Sequence, residues 1–153
     1  MADLLVKLYE RRAEPETCAG NIRIFRPLPP DRTAVVDFVR RTFGEKWASE
    51  CETAFFGFPV RMWIAADGGK VVGFACYDCT ARGFFGPTGV LPGYRGRGIG
   101  KNLLLRCLEG LREAGYAYAV IGGVEEKNFA FYAKVCGAEP IPGSERGIYR
   151  DLL

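Results

Sequence analysis

The most informative part of this sequence is Thr88-Gly89-Val90-Leu91-Pro92-Gly93-Tyr94-Arg95-Gly96-Arg97-Gly98-Ile99-Gly100-Lys101. An apolar run precedes this stretch and an amphipathic segment follows it, so the pattern predicts a strand, a tight loop and the start of a helix. Alternating glycines let the loop bend sharply and leave its backbone amides uncovered. The helix start adds unpaired N–H groups and a partial positive charge, and the loop itself carries basic side chains. The stretch therefore predicts a binding site for a phosphate or pyrophosphate group.

Two common phosphate-binding loops do not fit this spacing. A P-loop requires a glycine five residues before Gly100 and a serine or threonine after Lys101, whereas the sequence has Arg95 and Asn102 there. The dinucleotide-binding motif requires a third glycine three places after the second, which from Gly98 falls on Lys101. A plain glycine-rich turn is the remaining alternative. The apolar strand before it, both arginines and the helix after it favour a ligand-binding loop.

Residues 92–100 match the pattern Pro-x-Tyr-Arg-Gly-x-Gly-Ile-Gly position by position. This stretch resembles the pyrophosphate loop of the GNAT superfamily of acyl-CoA N-acyltransferases. The resemblance implies acetyl-CoA as co-substrate, with its pyrophosphate on the glycine loop and its pantetheine beside the end of the preceding strand. The cofactor-binding residues that it implies are Val90, Leu91, Arg95, Gly96, Arg97, Gly98, Ile99, Gly100 and Lys101.

The composition is that of an ordinary soluble globular domain. The chain has 153 residues, of which 48% are hydrophobic and 25% charged. Its formal net charge of +3 is too small to predict a nucleic-acid partner, and a phosphate ligand explains the loop arginines better. The sequence has no histidine, which removes the commonest general base and the commonest metal ligand.

The cysteines predict buried free thiols rather than a metal site or a disulfide framework. Cys76-x-x-Cys79 is a single pair inside a predicted strand, where its two side chains would point to opposite faces. We therefore expect no metal and a reducing, cytoplasmic environment. The N-terminal residues lack the apolar region of a signal peptide, and no apolar run is long enough to span a bilayer, so no membrane partner is predicted.

Hydrophobic periodicity predicts a mixed α/β domain. The first residues, 2–12, have leucines at helical spacing, which predicts a helical N-terminal extension over residues 1–20 before a single domain over residues 21–153. The predicted strands cover residues 21–26, 60–66, 70–79, 82–90, 116–122, 141–144 and 147–152. The predicted helices cover residues 31–43, 45–56, 98–114 and 128–136.

The family resemblance extends this prediction to a specific architecture. It implies an α+β fold with a central, mostly antiparallel, twisted sheet of six to seven strands flanked by about four helices. It also implies a sheet splayed between the fourth and fifth predicted strands, residues 82–90 and 116–122. Glycines and a proline in residues 82–90 independently favour a bulged or splayed strand beside a ligand.

Tyr132 is the candidate acid for the departing thiolate. In the family that the loop resembles, this acid is usually a tyrosine of the last helix, in a pattern like Asn-x-x-Ala-x-x-Φ-Tyr-x-Lys-x-Gly-Phe. Phe131, Tyr132 and Lys134 match that pattern, but the asparagine lies at Asn128, closer to the tyrosine than usual, and Ala138 replaces the final phenylalanine. The alternative is a tyrosine that only packs on the sheet.

No general base is evident in a chain without histidine. The candidates are carboxylates near strand ends, Asp78, Glu125 and Glu126, and each of them is also typical of a solvated surface charge. Glu125 is the first candidate because it follows the fifth predicted strand at the mouth of the expected cleft. The acceptor pocket is expected between the first two helices and the chain end, and its candidates are apolar and aromatic residues that suggest an apolar or aromatic acceptor: Trp47, Phe55, Phe56, Phe58, Met62 and Trp63.

These observations predict an N-acetyltransferase that transfers the acetyl group of acetyl-CoA directly to a primary amine of a small molecule or peptide. The first alternative is a non-catalytic acetyl-CoA or CoA-binding sensor or partner subunit. A structural domain with a glycine-rich turn is the second. The sequence leaves open the acceptor, the acyl-chain preference and a homodimeric state.

Overall fold

The computed structural model describes residues 1–10, 13–18 and 20–153. A seven-stranded sheet with strand order β2-β3-β4-β5-β6-β1-β7 forms its centre. All neighbouring strands are antiparallel except β5 and β6, which are parallel. The strands are β1 (Ala2–Lys7), β2 (Ile22–Phe25), β3 (Met62–Asp67), β4 (Lys70–Tyr77), β5 (Phe84–Val90), β6 (Tyr118–Val124) and β7 (Glu139–Pro140).

Helices cover both faces of the sheet and divide the core into two layers. Phe74 and Cys76 of β4 pack with the first two helices, whereas Ala75 and Tyr77 of the same strand pack with the third helix. This division follows from the alternation of side chains along a strand. The helices are α1 (Arg32–Phe43), α2 (Glu45–Thr53), α3 (Ile99–Glu113) and α4 (Phe129–Cys136).

The sheet opens between β5 and β6. These two strands pair only at Phe84 and Phe85, which lie opposite Val120 and Ile121. The pairing of β5 with β4 then shifts register near Gly86, a residue with φ of 114°, and the rest of β5 follows β4 away from β6. The bulge therefore creates the splay, and this confirms the opening predicted between the fourth and fifth strands of the sequence analysis.

The prediction of an N-terminal helix was wrong. Residues 2–7 form a strand between β6 and β7, and Leu4, Val6 and Leu8 are buried in the core. A spacing of four residues, as between Leu4 and Leu8, fits a helical face and also fits alternation along a strand. The structure buries Val6 together with both leucines, as alternation along a strand requires. These residues belong to the sheet and not to an extension, and residues 11, 12 and 19 of the predicted extension lie outside the described residues.

The prediction of two strands at the chain end, residues 141–144 and 147–152, was also wrong. β7 has only two residues, and Gly147–Asp151 forms a 3₁₀ helix. The Ser144 hydroxyl donates to the carbonyl of Ile141 and accepts the backbone N–H of Asp3, which fixes a turn where a strand was expected. Likewise, α2 ends at Thr53 and not at residue 56, because the chain turns there before β3.

Candidate functional site

The glycine-rich loop joins β5 to α3 and is held in place by its own side chains. Pro92–Tyr94 forms one 3₁₀ turn, and the Tyr94 hydroxyl donates to Asp67 Oδ2 at 2.7 Å, which ties the loop to the β3–β4 hairpin. Arg95 follows in an extended conformation, and its Nε donates to the carbonyl of Val90 at 3.1 Å. The loop therefore returns to the strand end from which it starts.

Gly98 is the N-cap of α3 and has a left-handed conformation with φ of 77°. A Cβ atom at this position would meet no atom within 4 Å, and the same holds at Gly96. The first intrahelical bond runs from the Asn102 N–H to the Gly98 carbonyl, so the amides of Ile99, Gly100 and Lys101 have no partner inside the helix. Within the described residues, no side chain caps this end. Open space in front of free amides suits a pyrophosphate.

A cleft of about 420 Å³ lies in front of these amides, and we call it the glycine-loop cleft. It brings together seven of the nine residues predicted to bind the cofactor, two of them cationic, and no carboxylate of the described residues lines it. Its lining comprises Phe85, Thr88, Gly89, Val90, Tyr94, Arg95, Gly96, Gly98, Ile99, Gly100, Lys101, Leu104, Asn128, Phe131 and Tyr132. The donor set fits an anionic, phosphate-bearing ligand.

The other two predicted residues, Leu91 and Arg97, do not line this cleft. The Leu91 N–H donates to the carbonyl of Val72 at 2.8 Å, so this group already bonds within the sheet. The Arg97 guanidinium stacks on the Tyr94 ring at 4.9 Å and donates to the carbonyl of Gly93 at 3.3 Å. Arg97 therefore braces the loop from its outer side.

The free edge of β5 offers backbone groups to the glycine-loop cleft. In an antiparallel pair, neighbouring residues turn their N–H and C=O groups alternately toward and away from the partner strand. Because Leu91 bonds to β4, Val90 and Thr88 turn theirs toward the side that β6 has left, where the Val90 carbonyl already accepts a hydrogen bond from Arg95 Nε. This edge can pair with an extended amide-containing ligand, as an added strand would.

Tyr132 of α4 lies where the glycine-loop cleft meets a second cleft. Its ring contacts Phe85 at 6.4 Å and Phe131 at 5.1 Å between centroids. Burial, and secondarily the nearby Cys136 thiol, raises the pKa of Tyr132 to about 12. Its hydroxyl makes no hydrogen bond to any of the described residues and remains protonated at neutral pH.

The second cleft, which we call the β5–β6 cleft, also measures about 420 Å³ and lies where the two strands diverge. It shares Phe85, Thr88, Asn128 and Tyr132 with the glycine-loop cleft. Its lining comprises Met1, Trp47, Glu50, Phe85, Gly86, Pro87, Thr88, Ile121, Gly122, Gly123, Val124, Glu125, Asn128, Tyr132 and Tyr149. The two clefts therefore form a passage with Tyr132 at its centre.

Glu125, the predicted general base, lies at the mouth of the β5–β6 cleft directly after β6. Its side chain is 60% exposed and pairs with Lys127 at 3.0 Å. The other two candidates lie elsewhere: Asp78 accepts the Gly83 N–H in the β4–β5 turn, and the exposed Glu126 does not line the cleft. Only Glu125 of the three therefore reaches the passage.

Among the aromatic candidates for an acceptor pocket, only Trp47 lines the β5–β6 cleft. Phe55 and Met62 are buried in the core, and Phe56 and Phe58 are exposed outside the cleft. Trp63 stacks between two arginines of the opposite layer.

Sequence reasoning missed Glu50 and Tyr149, which both line the β5–β6 cleft. Glu50 follows Trp47 by three residues on α2, a spacing that places both side chains on one helix face. The sequence alone could therefore have indicated that Glu50 lies beside Trp47 in the pocket. Tyr149 lies in the C-terminal 3₁₀ helix, where a strand was expected, and no local pattern points to it.

Residues 32–138 match the sequence model of the acetyltransferase (GNAT) family, and this range is more than half of the chain. The chain belongs to this family. The resemblance noted for the glycine-rich loop is thereby confirmed, and so are the GNAT fold and the splayed sheet. No curated protein sequence matches the chain.

Several solved structures share this fold. A GCN5-related N-acetyltransferase from Sphaerobacter thermophilus superposes with a TM-score of 0.74 at 20% identity, over 92% of this chain and 48% of that one. A GNAT-family acetyltransferase from Brucella melitensis in complex with acetyl-CoA gives a TM-score of 0.55 at 21% identity, over 80% and 90%. The YhbS protein from Escherichia coli in complex with CoA gives 0.56 at 24% identity, over 88% and 81%.

The chain spans about half the length or less of several of the structures that it matches. Within the described residues, no helix combines the length and apolar character needed to cross a membrane.

Proposed function

We propose that this protein is an acyl-CoA-dependent N-acetyltransferase that transfers the acetyl group of acetyl-CoA directly to a primary amine. The observation that carries the proposal is the meeting of the two clefts at Tyr132. One cleft has cations and free helix amides, and the other has carboxylates. An anionic acyl donor and an ammonium-bearing acceptor would meet at this point.

The glycine-loop cleft is the proposed donor site. Gly96, Gly98 and the first amides of α3 would face the pyrophosphate, with Arg95 and Lys101 adding full charges. The free edge of β5 at Thr88 and Val90 would pair with the pantetheine amides. Acetyl-CoA supplies a thioester, which is an activated acetyl group.

The proposed transfer forms one N–C bond and breaks one C–S bond, and the electrons of the C–S bond leave with the sulfur. The acceptor nitrogen, bound as an ammonium, loses one proton to a carboxylate of the β5–β6 cleft, Glu125 or Glu50, before it attacks, and a second proton to solvent water once the N–C bond has formed. The sulfur leaves as a thiolate and takes one proton from solvent water to become a thiol. Tyr132, still protonated because burial raises its pKa to about 12, donates a hydrogen bond to the departing sulfur. A thiolate, with a conjugate acid near pKa 8.5, is a weaker base than tyrosinate, so this bond stabilises the sulfur without full proton transfer.

A thiol-release assay tests the proposed function. Wild-type protein is mixed with acetyl-CoA and a panel of primary amines that includes aromatic amines, aliphatic amines, amino acids and a peptide N-terminus. We expect release of free thiol that depends on at least one amine and is lost in Gly98→Val. Acetyl-CoA binding without amine-dependent release across the panel would instead favour the non-catalytic sensor.

A further inference from the structure

The charged side chains that line the β5–β6 cleft, the proposed acceptor site, are all acidic. They are Glu50 and Glu125, and no lysine or arginine of the described residues lines the cleft, although the amino-terminal residue Met1 does. The two carboxylates differ in their surroundings. Glu125 is 60% exposed and is paired with Lys127 at 3.0 Å, so much of its charge is already balanced. Glu50 is half-buried and forms no ion pair within the described part of the chain.

One oxygen of Glu50 is occupied and the other is open. The Thr80 hydroxyl donates to Glu50 Oε1 at 2.5 Å, and Thr80 also interacts with the Tyr149 hydroxyl. Oε2 accepts no hydrogen bond from the described residues. Because Oε2 is not fully buried, water solvates it in the free protein, and an N–H group of a ligand can replace that water. Thr80 therefore fixes the carboxylate in one orientation, with Oε2 left to accept a hydrogen bond from a ligand.

Aromatic rings flank this carboxylate. Trp47 packs on Phe43 at 5.4 Å between centroids and remains 37% exposed. The Tyr149 ring lies against β6, where a Cβ atom at Gly122 or Gly123 would be 3.2 Å from it. A larger residue at either position would therefore have to displace the ring slightly. An ammonium bound between a carboxylate and aromatic faces gains from both charge attraction and cation–π contact.

We infer that the acceptor is a primary amine attached to an apolar body, with no carboxylate beside the amine, and that Glu50 determines this specificity by binding the ammonium. This inference rests on the proposed function. An acceptor with a carboxylate next to its amine would bring that charge into a cleft lined by Glu50 and Glu125, where like-charge repulsion and desolvation oppose binding. The aromatic walls would hold the apolar body.

Three acceptors with the same phenethylamine skeleton test the inference: phenethylamine itself, phenylalanine and phenylalaninamide, of which the last two are matched in size. We expect kcat/KM for phenethylamine to exceed that for phenylalanine by at least about tenfold, which corresponds to about 1.4 kcal/mol. Phenylalaninamide, which has similar bulk but no negative charge, should behave like phenethylamine. Equal rates for phenylalanine and phenylalaninamide would overturn the inference, because charge would then not matter.

Glu50→Gln tests the role of this residue and Glu52→Gln is its matched control, an exposed glutamate on the same helix that does not line the cleft. Glu50→Gln should raise KM for phenethylamine by about tenfold, leave acetyl-CoA affinity unchanged and reduce discrimination against phenylalanine. Glu52→Gln should match wild type. Unchanged discrimination in Glu50→Gln would overturn the inference while the proposed function stands. If wild-type protein acetylated none of the panel amines, both would fail.

Discussion

The glycine-loop cleft and the β5–β6 cleft lie on either side of Tyr132, have similar volumes and carry opposite charges. The first is built mostly from one continuous stretch, β5, the loop and the start of α3, with Arg95 and Lys101 beside helix amides, and only Asn128, Phe131 and Tyr132 of its lining lie outside that stretch. The second is assembled from α2, the end of β6 and the C-terminal 3₁₀ helix, with two carboxylates and several aromatic rings. The bulge in β5 produces both, because it parts the strands and leaves one cleft on each side.

Because the two clefts are built from different kinds of chain segment, we expect them to respond differently to mutation. A site built from one local stretch depends on backbone conformation, which a single glycine can control. A site assembled from distant segments depends on side chains that can be exchanged singly. We therefore expect the glycine-loop cleft to fail abruptly on mutation and the β5–β6 cleft to change its specificity gradually.

The largest effect is expected for Gly98→Val. Valine would have to adopt φ near 77°, and its branched side chain would fill the space in front of the α3 amides. We expect acetyl-CoA affinity to fall by at least about a hundredfold, or about 2.7 kcal/mol, in a calorimetric titration. Gly68→Val is the matched control, because Gly68 also has positive φ and open space but lies in the β3–β4 turn. Equal loss of affinity in both variants would indicate general instability rather than a blocked site.

Tyr132→Phe should lower kcat by about ten- to a hundredfold, because the departing sulfur loses its hydrogen-bond donor. Acetyl-CoA affinity should change little, since the hydroxyl is proposed to act on the reaction and not on binding. Tyr118→Phe serves as control because Tyr118 is exposed and packs against Tyr9 outside both clefts. An unchanged kcat in Tyr132→Phe would remove this residue from the mechanism.

The stability of the protein should depend on Tyr132 at high pH. Its pKa is raised to about 12 in the folded state from about 10 in the unfolded chain, so its contribution is complete below pH 10 and is lost as pH rises to 12. At pH 11 this loss amounts to about 1.4 kcal/mol for this group alone. Urea unfolding at pH 9 and pH 11 measures it. The wild-type free energy of unfolding should fall by more than that of Tyr132→Phe; equal falls would mean that burial does not hold this hydroxyl in its neutral form.

The smallest effect is expected for the two loop arginines, which should differ in their contribution to acetyl-CoA affinity. Arg95 lines the glycine-loop cleft, whereas Arg97 stacks on Tyr94 away from it. Arg95→Gln should weaken acetyl-CoA binding about three- to tenfold, and more at low salt than at high salt. Arg97→Gln should change affinity less than about twofold, as expected for an exposed contact. Comparable losses in both would place Arg97 at the phosphates as well.

The loop and its helix could be predicted because their signals are local. The glycines, arginines and apolar flanks lie within one short stretch, and α3 has a long apolar periodicity ending near Gly115. The splay followed from the family resemblance together with the glycines of β5. Local chemistry determines the loop and its helix, so the sequence alone predicts these two elements.

The N-terminal strand and the β5–β6 cleft could not be predicted in the same way. Leu4 and Leu8 fit both a helix and a strand, and only pairing with β6 and β7 distinguishes them. Glu50 and Tyr149 lie about a hundred residues apart in the chain, yet both interact with Thr80 and line the same cleft. Such juxtapositions depend on tertiary folding, which overrides local periodicity.

Thermal unfolding with and without acetyl-CoA tests the central claim most directly. A ligand at a hundred times its dissociation constant stabilises the folded state by about 2.7 kcal/mol, which raises the midpoint by several degrees in a domain of this size. We predict such a rise for wild type and for Gly68→Val, and none for Gly98→Val. No rise in wild type at millimolar acetyl-CoA would contradict the assignment of the glycine-loop cleft as the donor site.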